Sequence, residues 1–267
     1  MFNLIAEIGF ESRRGRFGAK GTTWEGHLLS LQGGAASFFG KRQKARELNE
    51  LSAELSQRRN FKEAAGEMVA VDAYTEAELG NSRLARERAA AALALAPRGN
   101  RPEMFAAVAL ALSGQSDQAL AVASDLSERF PQNMLFMSVA VPLIRASVEN
   151  ERGNAQSAIA LLQSAKPYEY GGEGFLSLYV RGKAHLRARA GPEAAAEFQK
   201  VLDRRPTAWV LPVLYPLAQL GLGRAHALAG DLAQSRKAYQ DFFALWKDAD
   251  ADIPLLREAK AEYAKLN

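Results

Sequence analysis

A short cassette of small residues recurs along this chain and constrains its fold more than any other feature. In each copy a glycine is followed, five residues later, by alanine or serine within a pattern typical of helices. The copies run from Gly40 to Ala45, Gly80 to Ala85, Gly114 to Ala119, Gly153 to Ala158 and Gly230 to Ser235. A shifted copy has Ala194 after Gly191 and Pro192. Because neighbouring copies lie roughly 34 to 40 residues apart, the chain is predicted to repeat a two-helix unit about six times.

The residue types in the cassette have a physical reason. Glycine ends a helix readily because it adopts the left-handed backbone conformation at low steric cost. The small residue one turn into the next helix lets the two helices pack closely. In three copies a proline follows that alanine by twelve residues, at Pro97, Pro131 and Pro206, where it would end the second helix. The pattern predicts helical hairpins, and no run of period-two alternation predicts a strand.

Residues at fixed places in these units resemble the tetratricopeptide repeat. Gly182 and Gly223 match the small residue of the repeat's first helix, and Phe198 and Tyr239 match the aromatic residue of its second helix. The resemblance covers about residues 28–250. It implies an all-α fold, a right-handed superhelix of about six helical hairpins with a C-terminal capping helix. That capping helix is predicted within residues 252–267, with Asp252 as its N-cap.

A narrower resemblance concerns four stretches, including residues 88–97 and 238–250. They are similar to the helical repeat region of bacterial eukaryotic-like serine/threonine protein kinases. This chain has no His-Arg-Asp, Asp-Phe-Gly or Ala-Pro-Glu motif, which a protein kinase needs. The resemblance therefore implies a sensor or scaffold module and not kinase activity in this chain.

The N-terminal 27 residues differ from the rest. Gly15, Gly18 and Gly21 lie among arginines and lysines. A phosphate-binding loop would need a preceding strand and a Gly-Lys-Ser/Thr sequence, and neither is present. We therefore predict a flexible, basic, glycine-rich leader over residues 1–27 and a helical repeat domain over residues 28–267.

Residue composition argues against most site chemistries. The chain has no cysteine and only three histidines, and no two histidines have metal-ligand spacing, so no metal site and no cofactor are expected. Serines lack a nearby histidine in sequence, and the carboxylates Glu76 and Glu78 are expected on solvated helix faces. No catalytic residue is predicted, and the chain is not expected to be an enzyme.

Charge and hydropathy narrow the choice of partner. The net charge is +4 over 267 residues, and basic and acidic residues are interspersed, so nucleic-acid binding is not expected. No apolar run approaches the ~20 residues of a membrane helix, and the N-terminus is a poor signal peptide. A cytoplasmic location is expected, although repeat modules of this kind also occur outside the cytoplasm.

The first helix of each stacked hairpin lines the inner surface of a superhelix. In tetratricopeptide arrays the ligand-facing positions of that helix are known, and the resemblance assigns them here. They are Tyr74, Met104, Ser147, Asn150, Tyr179, Lys183 and Arg224. Because Lys183 and Arg224 can bind a carboxylate, we expect a protein or peptide partner with an acidic segment. Two alternatives stay open: a regulatory module of a kinase system without its kinase domain, and an effector domain of a transcriptional regulator.

Overall fold

The computed structural model describes residues 24–169, 171, 174–203 and 211–266. Within those ranges the chain forms thirteen α-helices and no β-strand. The helices are α1 Trp24–Phe38, α2 Arg42–Arg58, α3 Lys62–Glu78, α4 Ser82–Leu95, α5 Asn100–Leu112, α6 Ser116–Arg129, α7 Val141–Glu151, α8 Ala155–Leu161, α9 Gly174–Arg187, α10 Gly191–Asp203, α11 Leu214–Leu228, α12 Leu232–Leu245 and α13 Pro254–Ala264. Helix α1 begins before the boundary predicted at residue 28, and most of the predicted leader lies outside the described residues.

The helices pair into six consecutive hairpins, from α1 and α2 to α11 and α12, and α13 follows the last hairpin. From the second hairpin onward, the first helix of each hairpin packs against the first helix of the next. These helices are α3, α5, α7, α9 and α11. The predicted all-helical array of about six hairpins is confirmed.

The turns within the hairpins use the predicted glycines. Gly40, Gly80, Gly114, Gly153 and Gly230 all have positive φ, between 68° and 89°. This is the left-handed region, which glycine adopts with the least strain. In the fifth hairpin Arg189 takes this conformation, with φ of 58°, which explains why the cassette there is shifted in sequence.

Close packing of the paired helices depends on small residues at the predicted positions. A Cβ atom on Gly182 would lie 2.8 Å from the Phe198 ring, and one on Gly223 would lie 2.9 Å from the Tyr239 ring. Ser235 is fully buried, and its hydroxyl donates to the Gly223 carbonyl at 2.8 Å. The ring of one helix therefore packs directly on the backbone of its partner.

The helix ends agree with the sequence in most places. Helix α4 ends at Leu95 and α6 at Arg129, each two residues before a proline that is predicted to end the helix. The third such proline, Pro206, lies outside the described residues. The prediction that Asp252 caps the last helix is wrong, because α13 has Ile253 at its N-cap. The Asp252 carboxylate instead accepts a hydrogen bond from Arg42 at 2.6 Å.

The last helices return to the first ones and close the array. The Trp246 indole N–H donates to the Phe38 carbonyl at 3.0 Å, and the Asp250 N–H donates to the Gly40 carbonyl at 3.0 Å. The rings of Phe38 and Tyr215 stack with their centroids 5.6 Å apart. As a result, much of the inner surface forms the interior of the molecule and is not an open groove.

Candidate functional site on the inner surface

The seven residues predicted to face a ligand all belong to first helices of the hairpins, but most are buried. Tyr74, Met104, Ser147, Asn150 and Tyr179 are each exposed by 6% or less. The side chains of Lys183 and Arg224 are 21% and 29% exposed. Closure of the array thus covers the surface that the sequence assigns to a partner.

Three of the seven predicted residues meet at the carboxylate of Glu78, at the end of α3. This carboxylate accepts hydrogen bonds from the Tyr74 hydroxyl at 3.2 Å, the Tyr179 hydroxyl at 3.1 Å and the Lys183 ammonium at 3.0 and 3.1 Å. Burial and the neighbouring Glu78 charge hold the pKa of both tyrosines well above its usual value. Both phenols therefore stay protonated and act as donors to Glu78.

Arg224 lies in α11 and binds carboxylates of the last helix. Its Nε is 3.0 Å from Glu262 Oε2 and its Nη2 is 3.1 Å from Glu258 Oε1. The Tyr239 hydroxyl donates to the same Glu262 carboxylate at 2.8 Å. Arg224, which the sequence predicts to bind an acidic partner, is therefore paired with acidic residues of this chain.

Glu78, Tyr179, Lys183 and Arg224 line one cavity of about 260 Å³, whereas Tyr74 does not reach it. Glu151 and Leu255 also line it. The remaining predicted residues do not reach this cavity. Met104 is part of the core, Ser147 donates to the Leu143 carbonyl at 2.8 Å, and the side-chain oxygen of Asn150 has no partner among the described residues.

The expectation that Glu76 and Glu78 lie on solvated faces is wrong. Glu76 is 1% exposed and is bound by Arg46 and by the Asn81 side-chain amide. Glu78 is 8% exposed and is bound by Lys183, 105 residues away. Local sequence spacing cannot show so distant a partner. One available signal is that α3 carries apolar residues around its whole circumference, which is typical of a buried helix.

A second, larger cavity lies between α1 and α3. These two helices do not pack side by side as the later first helices do, and a cavity of about 500 Å³ separates them. Helix α2 and residues 211–213 complete its wall. The apolar part of the wall includes Leu31, Leu55, Met68, Val71 and Pro212.

Polar groups in the wall of this second cavity include the carboxylate of Asp72 and the guanidinium of the half-buried Arg59. Asp72 is 4% exposed, and burial raises its pKa to about 7, although Arg88 lies 3.5 Å away and opposes the shift. The guanidinium of Arg59 makes no hydrogen bond or ion pair with any residue that the structure describes. A buried carboxylate and an unpaired cation therefore occupy the wall of a mainly apolar cavity.

Two further features are absent from the described ranges. No group of three or more His, Asp or Glu side chains could hold a metal ion. None of the helices in those ranges is both long enough and apolar enough to cross a bilayer.

Comparison with solved structures identifies the fold. A tetratricopeptide repeat protein from Parabacteroides merdae is similar over 98% of this chain and 91% of that chain, with a TM-score of 0.53 and 15% sequence identity. No family model matches the sequence, and no curated protein matches it. At this identity the likeness concerns the fold alone, and the fold is a tetratricopeptide-like array of helical hairpins.

Proposed function

We propose that this chain is a protein-interaction scaffold that binds a segment of a partner protein in the cavity between α1 and α3. The observation that carries the proposal is the gap between these two helices. Elsewhere along the array the first helices close upon one another, but here a cavity of about 500 Å³ stays open on the same row of helices. A cavity of this size holds one or two large side chains of a bound segment.

The chemistry of the wall suggests which segment would bind. Its apolar side chains favour an aliphatic or aromatic anchor, because burying such a group contributes about 1.5–3 kcal/mol. Arg59 offers a charge-assisted hydrogen bond to a carboxylate of the same segment. The partner is therefore proposed to carry an apolar residue with an acidic residue nearby, in keeping with the acidic preference predicted from sequence.

The seven residues assigned from sequence remain a proposed second part of the binding surface. Lys183 and Arg224 are already paired with Glu78, Glu258 and Glu262. A partner carboxylate would have to replace one of these internal carboxylates. Binding at this part of the inner surface therefore requires the array to open.

The resemblance of residues 88–97 and 238–250 to kinase-associated repeats favours a regulatory version of the same role. In that version the partner is a component of a serine/threonine kinase system. An effector domain of a transcriptional regulator would use the same cavity with a DNA-binding partner. The identity of a captured protein distinguishes these roles.

The experiment blocks the cavity without removing any interaction of the fold. Ala64 is exposed at the cavity wall, and Ala64→Trp places an indole in the opening. Ala91→Trp, on the exposed face of α4, is the matched control. Both variants are compared with the native chain by capture of partners from a native cell extract and mass spectrometry, followed by titration of the captured partner.

We expect Ala64→Trp to lower the affinity for the captured partner at least tenfold and Ala91→Trp to leave that affinity unchanged. Thermal melting of both variants confirms that they fold. If Ala64→Trp retains the partner with native affinity, the cavity between α1 and α3 is not the binding site.

A further inference from the structure

The segment Trp246–Leu255, called the latch below, joins the end of the array to its beginning. Its Asp250 N–H donates to the Gly40 carbonyl at 3.0 Å, and its Leu255 N–H donates to the Leu79 carbonyl at 3.3 Å. These acceptors lie at the turns of the first and second hairpins. The latch therefore bridges two hairpins that precede it by more than 150 residues.

Two carboxylates and an apolar residue of the latch bind this surface. Asp250 Oδ2 accepts the Gln43 N–H at 2.8 Å, and so binds a donor in the first turn of α2 that has no partner within the helix. Asp252 Oδ2 accepts from Arg42 at 2.6 Å. The side chain of Ile253, which follows directly, is completely buried.

The shape of the two turns fits the latch closely. A Cβ atom on Gly40 would lie 2.6 Å from Ala249, and one on Gly80 would lie 3.0 Å from Pro254. The other positive-φ glycines, Gly114, Gly153 and Gly230, have nothing within 4 Å of such an atom. The first two turns thus receive a bound segment, whereas the later turns are open.

We propose that the surface formed by the turns at Gly40 and Gly80 recognises an acidic segment of a partner protein, with the latch as its resident ligand. The recognised pattern is two carboxylates, two residues apart, followed by an aliphatic residue and proline. This proposal rests on the proposed scaffold function, because Leu255 also lines the cavity of about 260 Å³ with Lys183 and Arg224. Displacing the latch opens that cavity to a partner.

The carboxylates of the latch are suited to exchange. Asp252 is 57% exposed, and an ion pair exposed to this degree is weakened by solvent and salt. A tethered segment competes at an effective concentration in the millimolar range. A partner segment with the same pattern displaces the latch when its affinity or local concentration exceeds this competition.

The test weakens the contacts of the latch by mutation and then adds the latch sequence as a separate peptide. The double variant Asp250→Ala/Asp252→Ala removes both carboxylates. Asp231→Ala is the matched control, because Asp231 accepts the Gln234 N–H at 3.0 Å as the N-cap of α12 but does not bridge hairpins. Hydrogen exchange is measured at the amides of Asp250 and Leu255. Binding of a fluorescent peptide with the sequence of residues 248–256 is measured by anisotropy.

We expect both amides to exchange at least tenfold faster in the double variant than in the native chain, and to be unchanged in Asp231→Ala. The peptide should bind the double variant at least tenfold more tightly than the native chain. A peptide with alanine at positions 250 and 252 should not bind. If both amides keep their native protection from hydrogen exchange in the double variant, the two carboxylates do not hold the latch and the proposal is wrong.

If the two peptides bind with equal affinity, the surface does not recognise the carboxylates and that part of the proposal is wrong. Neither readout uses a captured partner, so their failure is distinguishable from failure of the scaffold function.

Discussion

Asp72 shows how a single buried group couples stability to pH. Its carboxyl lies in the wall of the larger cavity, and burial raises its pKa from 3.8 to about 7. Between these two values the folded chain binds more protons than the unfolded chain. The free energy of unfolding therefore falls as pH rises through this window.

We expect Asp72→Asn to abolish this loss of stability between about pH 4 and pH 7. Above pH 7 the variant should be more stable than the native chain, by at most about 4 kcal/mol from the shift in pKa. Urea unfolding of both proteins at pH 5 and pH 8 measures the difference. Asp117→Asn, on an exposed face of α6, is the control and should keep the native loss of stability between the two pH values.

Single residues differ in how far sequence reveals their roles. The conformations of Gly40, Gly80, Gly114, Gly153 and Gly230 follow from spacing, because each turn is a local structure. Glu78 could not be assigned from sequence, since its burial depends on Lys183 and Tyr179 in a helix three hairpins further along. Arg224 is predicted from sequence to bind a carboxylate of a partner, but the carboxylates that it contacts in the structure lie in the chain's own α13.

Helix pairs are the scale at which the sequence is most informative. The two helices of the sixth hairpin approach closely because Gly223 receives the ring of Tyr239. The same arrangement occurs in the fifth hairpin between Gly182 and Phe198. The repeat pattern assigns a small residue and an aromatic residue to these positions, and both members of each pair lie within one repeat.

Gly223→Leu should separate α11 from α12 and lower the free energy of unfolding by about 1–3 kcal/mol or more. Gly26→Ala is the control, because a Cβ atom there meets nothing closer than 3.8 Å. That variant should be within about 1 kcal/mol of the native chain, since alanine also favours the helix. Chemical unfolding of the two variants side by side makes the comparison. Native stability of Gly223→Leu would contradict the predicted phase of the repeat.

The whole molecule differs from an open array because its two ends meet. Most residues of the predicted ligand surface are buried inside the closed molecule. This closure could not be read from the repeat pattern, which specifies how neighbouring hairpins stack but not where the array returns upon itself. It depends on contacts such as that of Trp246 with Phe38, which are 208 residues apart.

Gly40→Ala and Gly114→Ala test the closure at matched positions. Both glycines have positive φ, at 68° and 80°, so both variants carry a similar backbone strain. Only the alanine at position 40 would also press against Ala249 and Trp246. We expect Gly40→Ala to be less stable than Gly114→Ala by about 1–3 kcal/mol, measured by urea unfolding. Equal destabilisation would mean that the ends of the array do not meet in solution.

The hydrogen bond from Gln43 to Asp250 has a consequence for synthesis on the ribosome. The carboxylate that binds the first turn of helix α2 is added 207 residues after the amide that it accepts from. The first hairpin therefore emerges from the exit tunnel with an incomplete set of contacts and acquires the rest only after Asp250 has been made. Vectorial folding of the array thus stays incomplete at its first hairpin until the sixth hairpin has been synthesised.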